Sequence, residues 1–407
     1  MLHKRIFSFL LLQFILGFSV LAQQKIKGIV INATTKEPIA GSSVFLNNTS
    51  IGTATDKAGW FELGGIPGGR HELIVSSIGY ATYVLAFNST ELPMDLKVEL
   101  TVKMKELDNV VVEPYEEQGW DKWGRLFTDN FIGTTPRANN CKIKNFKSIR
   151  FRLYKKSNRL VAFSDEPLVI ENKALGYNIT YQLEDFEINF KARTSVYAGY
   201  PFFEEIDKGR KGLMDRWQNA RNKAYYGSMM HFMRSIYTDS LLQNGYEVRR
   251  MKRTRNYEKD RVRKIYNPAG AISDSNSYYE SILRQRDDID TYGKSILSAD
   301  SLLQGSNEQF KFIYFPDYLF VTYKKEMEEM AYLESRMERR KAGYQYSYVL
   351  LVEPETIAID VNGNYYPPRN VMTSSYWGWS EKIADLLPID FQPTETLDKE
   401  KGVYFQR

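Results

Sequence analysis

The sequence reads as an N-terminal all-β sandwich followed by an α+β body with mainly antiparallel sheet. Three observations support this. Residues 25–103 alternate short apolar strands with turn residues at a spacing of about eight to twelve. Residues 136–407 carry strands in local pairs with helical stretches between them. The composition, 43% hydrophobic and 26% charged over 407 residues, is that of a globular chain with room for two or three domains.

The first 22 residues are an address rather than structure. Lys4 and Arg5 precede an apolar run from Ile6 to Val20, which closes on Val20-Leu21-Ala22. A basic head, a short apolar stretch and a small residue at the cut are the marks of a secretory signal peptide. No later stretch reaches the roughly 20 apolar residues of a membrane span, so no span is expected after cleavage. The single cysteine, Cys141, rules out an internal disulfide and stands far from the cut, so lipid anchoring through that route is not expected. Its thiol is read either as a buried small hydrophobe or as an intermolecular one.

Strands are expected at Ile26–Ile31, Ser43–Leu46, Gly52–Thr55, Trp60–Leu63, Glu72–Ser76, Tyr83–Phe87 and Lys97–Val102. Between the third and fourth, Asp56-Lys57-Ala58-Gly59 reads as a turn: the short carboxylate caps backbone N–H groups, and Gly accepts a positive φ. Gly28, Val30, Pro38, Ala40-Gly41, Val44, Gly52-Thr53, Thr55-Asp56, Gly59 to Phe61, Gly69, Leu73, Val75, Ser77 and Gly79-Tyr80 carry a family likeness. On these positions the segment resembles the carboxypeptidase D regulatory-like domain, a transthyretin-like seven-stranded sandwich. That resemblance implies a non-catalytic accessory or docking module, with no catalytic residues to transfer. Leu107 to Val112 resembles the TonB-box stretch that follows this module in outer-membrane receptors, although its first reading is simply the last strand of the sandwich. About 300 residues follow it, without barrel-like repetition, so such a receptor is not expected.

Residues 104–135 read as a linker and an amphipathic helix, with Trp120, Trp123, Phe127 and Phe131 near helical spacing and Gly133 beyond the end. In 136–407, Ile149–Tyr154 and Arg159–Phe163 form a hairpin, and strands follow at Pro167–Ile170, Ile179–Leu183, Phe186–Phe190 and Ser195–Tyr200. Met214, Trp217, Met229, Met230, Met233 and Ile236 mark a helical region ending at Gly245. Gln309–Tyr314 and Tyr318–Tyr323 are expected to pair across Phe315-Pro316-Asp317, and Tyr346–Val352 to pair with Thr356–Val361. Glu326 to Arg340 is expected as an exposed helix with internal ion pairs, and Trp379–Leu387 as a closing helix. The stretches beginning at Phe131, Leu168, Tyr200 and Ala224 make this body similar to proteins exported by Bacteroidetes-type bacteria, whose function is unassigned.

The search for chemistry is mostly negative. Three histidines, His3, His71 and His231, leave too few imidazoles for a zinc peptidase site. No nucleophile elbow, phosphate loop or dinucleotide fingerprint occurs, so no catalytic residue, metal or cofactor is assigned. Carboxylate groups at Glu184-Asp185-Glu187, Glu204-Glu205 and Asp287-Asp288 leave a glycosidase open, since their separation is not readable from sequence.

Two binding candidates remain. Arg249, Arg250, Lys252, Arg253, Arg255, Lys259, Arg261, Arg263 and Lys264 put nine basic residues against two acids within sixteen. Such a run can contact polyanions or an acidic partner, although no nucleic-acid motif accompanies it. Tyr365, Tyr366, Tyr376, Trp377 and Trp379 offer flat aromatics beside prolines as a groove. The expected function is an exported, non-catalytic docking protein at the periplasmic or outer-membrane face, bound to an envelope protein or an anionic envelope component. The alternatives are a peptide or glycan hydrolase, or an accessory subunit of a carboxypeptidase or uptake system.

Overall fold

The computed structural model describes residues 25–103, 113–206, 211–266 and 276–394. The signal segment and the Leu107–Val112 stretch lie outside the described residues.

Seven strands build the N-terminal sandwich: β1 (Lys25–Asn32), β2 (Ser43–Leu46), β3 (Gly52–Ala54), β4 (Trp60–Gly64), β5 (Arg70–Ser76), β6 (Tyr83–Asn88) and β7 (Met94–Leu100). One sheet runs β4-β1-β7, with β7 parallel to β1; the other runs β3-β2-β5-β6. Alternation does the work expected of it. Ile26, Val30, Phe61, Leu63, Val98 and Leu100 from the first sheet meet Val44, Leu46, Leu73, Val75 and Phe87 from the second in one core. The Asp56 carboxylate accepts from the N–H groups of Ala58 and Trp60, both at 2.9 Å, and Gly59 stands at φ +80°.

Helix α1 (Gly119–Phe131) lays its aromatic face on a six-stranded antiparallel sheet. Phe127 stands 4.5 Å from Phe186, and Phe131 stands 5.0 Å from Tyr181, ring centre to ring centre. The strands are β8 (Cys141–Ile143), β9 (Ile149–Tyr154), β10 (Arg159–Ser164), β11 (Leu168–Asn172), β12 (Tyr177–Asn189) and β13 (Thr194–Glu205). β9 and β10 form the expected hairpin, with Asn158 in the left-handed region at φ +54°. The two segments expected around residue 185 are one strand, β12, whose register against β13 shifts between Leu183 and Asp185.

Two helices follow where one region was expected. α2 (Lys211–Tyr225) and α3 (Met229–Tyr237) are parted by Gly227 at φ +81°, and the Ser228 hydroxyl caps α3 by accepting from the His231 N–H. Next come β14 (Tyr246–Arg255), α4 (Tyr257–Ile265), α5 (Asn276–Arg284), β15 (Asp288–Tyr292), β16 (Leu303–Ser306), β17 (Phe310–Ile313), β18 (Tyr318–Met327), α6 (Met330–Ser335), β19 (Tyr344–Leu351), β20 (Ile357–Asp360), β21 (Tyr365–Tyr366), β22 (Val371–Ser375) and α7 (Tyr376–Ser380). They make two antiparallel sheets, β15-β14-β18-β19-β22 and β16-β17-β20-β21.

This arrangement corrects both expected pairings. β17 pairs with β16 and β20, whereas β18 pairs with β14 and β19. The Phe315-Pro316-Asp317 link therefore carries the chain from one sheet to another, with the Phe315 ring buried at the crossing. β19 and β20 part in the same way. The exposed helix expected over Glu326 to Arg340 is also replaced. β18 runs on to Met327, α6 is one short piece, and the buried Glu328 carboxylate is gripped by Arg340 at 2.5 and 2.8 Å and by the Gly343 N–H at 2.9 Å. Finally, the closing helix stops at Ser380. The N–H groups of Ile383 and Ala384 go to the Phe131 and Ile132 carbonyls instead of to a helical ladder.

By internal contact the chain forms two compact units. The first takes in the described residues up to Tyr226 together with Ser380–Thr394; the second is Gly227–Trp379. Among the described residues no helix is long and apolar enough to cross a membrane.

Candidate functional site

In the second unit the basic run spans β14 and α4, and most of it is matched by acids. Arg253 grips Asp290 through two N–H groups at 2.7 and 2.9 Å, and Arg255 grips Asp260 at 2.8 and 2.9 Å. Arg261 pairs with Glu258, while Arg263 and Lys259 share Asp287 at 2.7 and 2.9 Å. Arg249 donates to the Lys294 carbonyl. The acids respond as paired carboxylates do. Arg261, aided by the Tyr278 hydroxyl, holds Glu258 down to about 2, and Arg253 lowers Asp290. Exposed pairs of this kind contribute little stability. Their consequence is that five of the nine cations are tied down by four acids, while Arg249 is held by a carbonyl and Arg250, Lys252 and Lys264 are exposed, so the run keeps a net positive charge.

The five aromatic candidates fall into different places. Tyr376 and Trp377 are buried: Tyr376 packs with Tyr332 and Trp379 at 5.2 and 5.4 Å, and the Trp377 indole N–H donates to the Gly227 carbonyl at 2.6 Å. They hold the core of the second unit. The crevice lined by Gly227, Val321, Tyr323, Gln345, Ser347 and Trp377 has no room for a water molecule. Tyr365 and Tyr366 are half-buried on the edge strand β21, with Tyr366 against Phe310.

A different aromatic surface does assemble on the β15-β14-β18-β19-β22 sheet. Along β18 and β19 the chain alternates strictly. Leu319, Val321, Tyr323, Gln345, Ser347 and Val349 are buried on one face, and Tyr318, Phe320, Tyr346 and Tyr348 are half-buried on the other. Phe320 sits opposite Tyr348 across the ladder. Its ring centre lies 5.0 Å from Tyr292, 5.4 Å from Tyr348 and 5.7 Å from Tyr346. The Tyr292 and Tyr348 hydroxyls share a hydrogen bond of 2.7 Å, and the Arg253 guanidinium lies over the Tyr318 and Tyr348 rings at 5.1 and 5.7 Å. The signal in the sequence is the alternate aromatics, Tyr318 and Phe320 in one strand and Tyr344, Tyr346 and Tyr348 in the other. It was hidden because each strand was expected to pair elsewhere, which never lined the rings up.

The titratable candidates are held in structure. His231 is buried; its Nδ1 accepts from the Gly227 N–H at 3.2 Å and stands 3.0 Å from the Tyr246 hydroxyl. Burial, with Lys325 and Arg234 nearby, drives its pKa down to about 3. In the first unit Cys141 is buried, and desolvation pushes its thiol up to about 12. Of the carboxylates, Glu187 pairs with Arg159 at 2.8 Å, and Glu205 with Arg221 at 2.6 Å. Among the described residues no three His, Cys, Asp or Glu side chains gather as a metal site.

Residues 26–112 match the family described as CarboxypepD_reg-like domain. The N-terminal sandwich is a CarboxypepD_reg-like domain. The match names that domain and not the rest of the chain. No curated protein matches the chain. Among solved structures, two interface mutants of a type II cohesin–X-dockerin complex from Acetivibrio cellulolyticus align at 21% and 24% identity over 19% of this chain, with TM-scores of 0.17 and 0.15. This chain covers 58% and 52% of theirs, under two thirds of their length. A protein of unknown function from Bacteroides fragilis, described as membrane-associated, aligns at 10% identity over 86% of this chain and 94% of its own, with a TM-score of 0.16.

The CarboxypepD_reg-like domain is fastened to the sheet behind it within the first unit. Its β2–β3 loop runs beside β13: the Asn48 N–H donates to the Pro201 carbonyl at 2.8 Å, and the Phe203 N–H to the Thr49 carbonyl at 3.0 Å. Ser50 binds the Asp390 carboxylate through its N–H and its hydroxyl, at 3.0 and 2.5 Å. The Phe202 ring lies 5.2 Å from Phe45, in space left by the missing side chain of Gly52.

Proposed function

We propose that this protein is an exported, non-catalytic docking protein of a bacterial envelope, in which the CarboxypepD_reg-like domain supports a body that binds a partner. The observation that carries this reading is the fastening of the β2–β3 loop to β13 and Asp390. A domain held by backbone hydrogen bonds at its loop end behaves as a fixed support rather than a swinging head. The signal-like residues 1–22 support export to the periplasm or outer membrane. The envelope partner meets the second unit.

The test is a pull-down of the purified mature chain against its own envelope fraction, at low and high salt. The expected result is the same specific partner at both salts, because most of the cations on β14 and α4 are already held by acids. Loss at high salt would move the contact to Arg250, Lys252 and Lys264. No partner at either salt would overturn the docking reading.

A further inference from the structure

We infer that the outer face of the β15-β14-β18-β19-β22 sheet, centred on Phe320 with Tyr292, Tyr346 and Tyr348, is a binding site for an uncharged glycan. The inference rests on the binding reading of the body and names its ligand class.

The face is anomalous for an antiparallel sheet. With its inner face packed on the core, the outer face should be polar. Here it presents contiguous rings from three strands, and Tyr292 is 44% exposed. A half-exposed run of rings in place of polar side chains points to a binding surface. What it fits follows from its charge and its polar atoms. Two cations beside the rings are matched by acids, Arg253 by Asp290 in a two-point grip and Lys324 by Glu247 at 3.6 Å, and a third, Arg249 opposite Phe320, is turned to the Lys294 carbonyl. An acidic polymer or an anionic membrane would need cations that are not already paired. The rings offer flat apolar faces, and tyrosine hydroxyls supply donors and acceptors at their edges. A ligand that matches both has C–H groups on its faces, hydroxyls around its rim and no charge. A neutral sugar chain has that chemistry. The Tyr292–Tyr348 hydroxyl bond and the Arg253 stack hold the rings in place before binding, which lowers the ordering cost.

The experiment is affinity electrophoresis of the full mature chain in native gels containing a mixed-linkage β-glucan, a galactomannan or starch, with polygalacturonate as the acidic control. Retardation by at least one neutral polymer is expected. Tyr292→Ala should weaken it about tenfold, a loss of one ring contact and its hydroxyl. Tyr348→Phe, which keeps the ring, should weaken it less. Thermal unfolding of each variant guards against loss of fold. Retardation by polygalacturonate alone, or equal retardation of wild type and a folded Tyr292→Ala, overturns the inference. So does the absence of retardation in every neutral gel. In that case a specific envelope partner in the pull-down leaves the docking reading standing, and the absence of one ends both.

Discussion

His231 and Cys141 are two side chains of residue types used in catalysis, and the surroundings of both are those of buried structural groups. The His231 ring is desolvated in the second unit, with the Gly227 N–H donating to it. Unfolded, an imidazole titrates near 6.5; folded, this one stays neutral down to about 3. Between those values the unfolded chain binds the additional proton. Stability is therefore complete above about pH 6.5 and falls by about 1.4 kcal/mol per pH unit as the pH drops through that window. Urea unfolding at pH 7.5 and pH 5, read by amide exchange on β18, should show this slope, and His231→Gln should flatten it. An unchanged midpoint at pH 5 would mean that the ring is protonated in the fold. Cys141 gives a second prediction. With its thiol buried and raised to about 12, it should resist a water-soluble disulfide reagent at pH 8 in the native chain and react within seconds in denaturant. Fast native labelling would support the intermolecular thiol that its sequence position left open.

Among the elements, the sandwich was the most legible part, because alternation, turn chemistry and glycine placement all point the same way there. Gly28 shows why a glycine stands at one of the family positions. A Cβ on it would lie 2.4 Å from the Leu96 carbonyl oxygen, an atom of the neighbouring backbone, and 2.9 Å from the Phe61 ring. Gly64 differs, since the nearest atom to its Cβ would be the flexible Lys25 side chain at 3.7 Å. Gly28→Ala should therefore cost about 1–3 kcal/mol, the range of overpacking, while Gly64→Ala should stay within about 0.5 kcal/mol. Thermal unfolding of the two variants compares them directly; equal melting temperatures would mean that β1 and β7 can shift apart. In the second unit the strands β17 to β20 were legible and their partners were not, while β15, β16, β21 and β22 were not expected at all. Pro316 denies a backbone N–H to either arrangement, so a reversal within one sheet and a passage to another leave the same trace in sequence. The aromatic face depends on that pairing. Phe320 and Tyr348 were visible as strand residues, but only the β18–β19 ladder makes them neighbours.

In the molecule as a whole, composition and periodicity say nothing of how the first unit is joined, because the joint is made by backbone groups and by residues far apart in the chain. Ser50 meets Asp390, and Asn48 accepts from the Ile389 N–H at 2.6 Å. The sandwich has its own core of twelve buried residues, which does not include Phe202. The joint and the core should therefore open independently. Phe202→Ala removes the ring that fills the space over Gly52 and beside Phe45. It should raise exchange of the Asn48 and Phe203 amides, which are bonded to the Pro201 and Thr49 carbonyls, at least about tenfold, a local loss of about 1.4 kcal/mol. Amides inside the sandwich, such as that of Val30, which donates to the Gly59 carbonyl, should keep their rates. Hydrogen exchange read at single amides separates the outcomes. If the Val30 amide accelerates along with Asn48, the joint is part of the domain's own stability, and the CarboxypepD_reg-like domain is not a self-sufficient support. If only the joint loosens, the fold is a finished module clamped at one loop, as a docking platform requires.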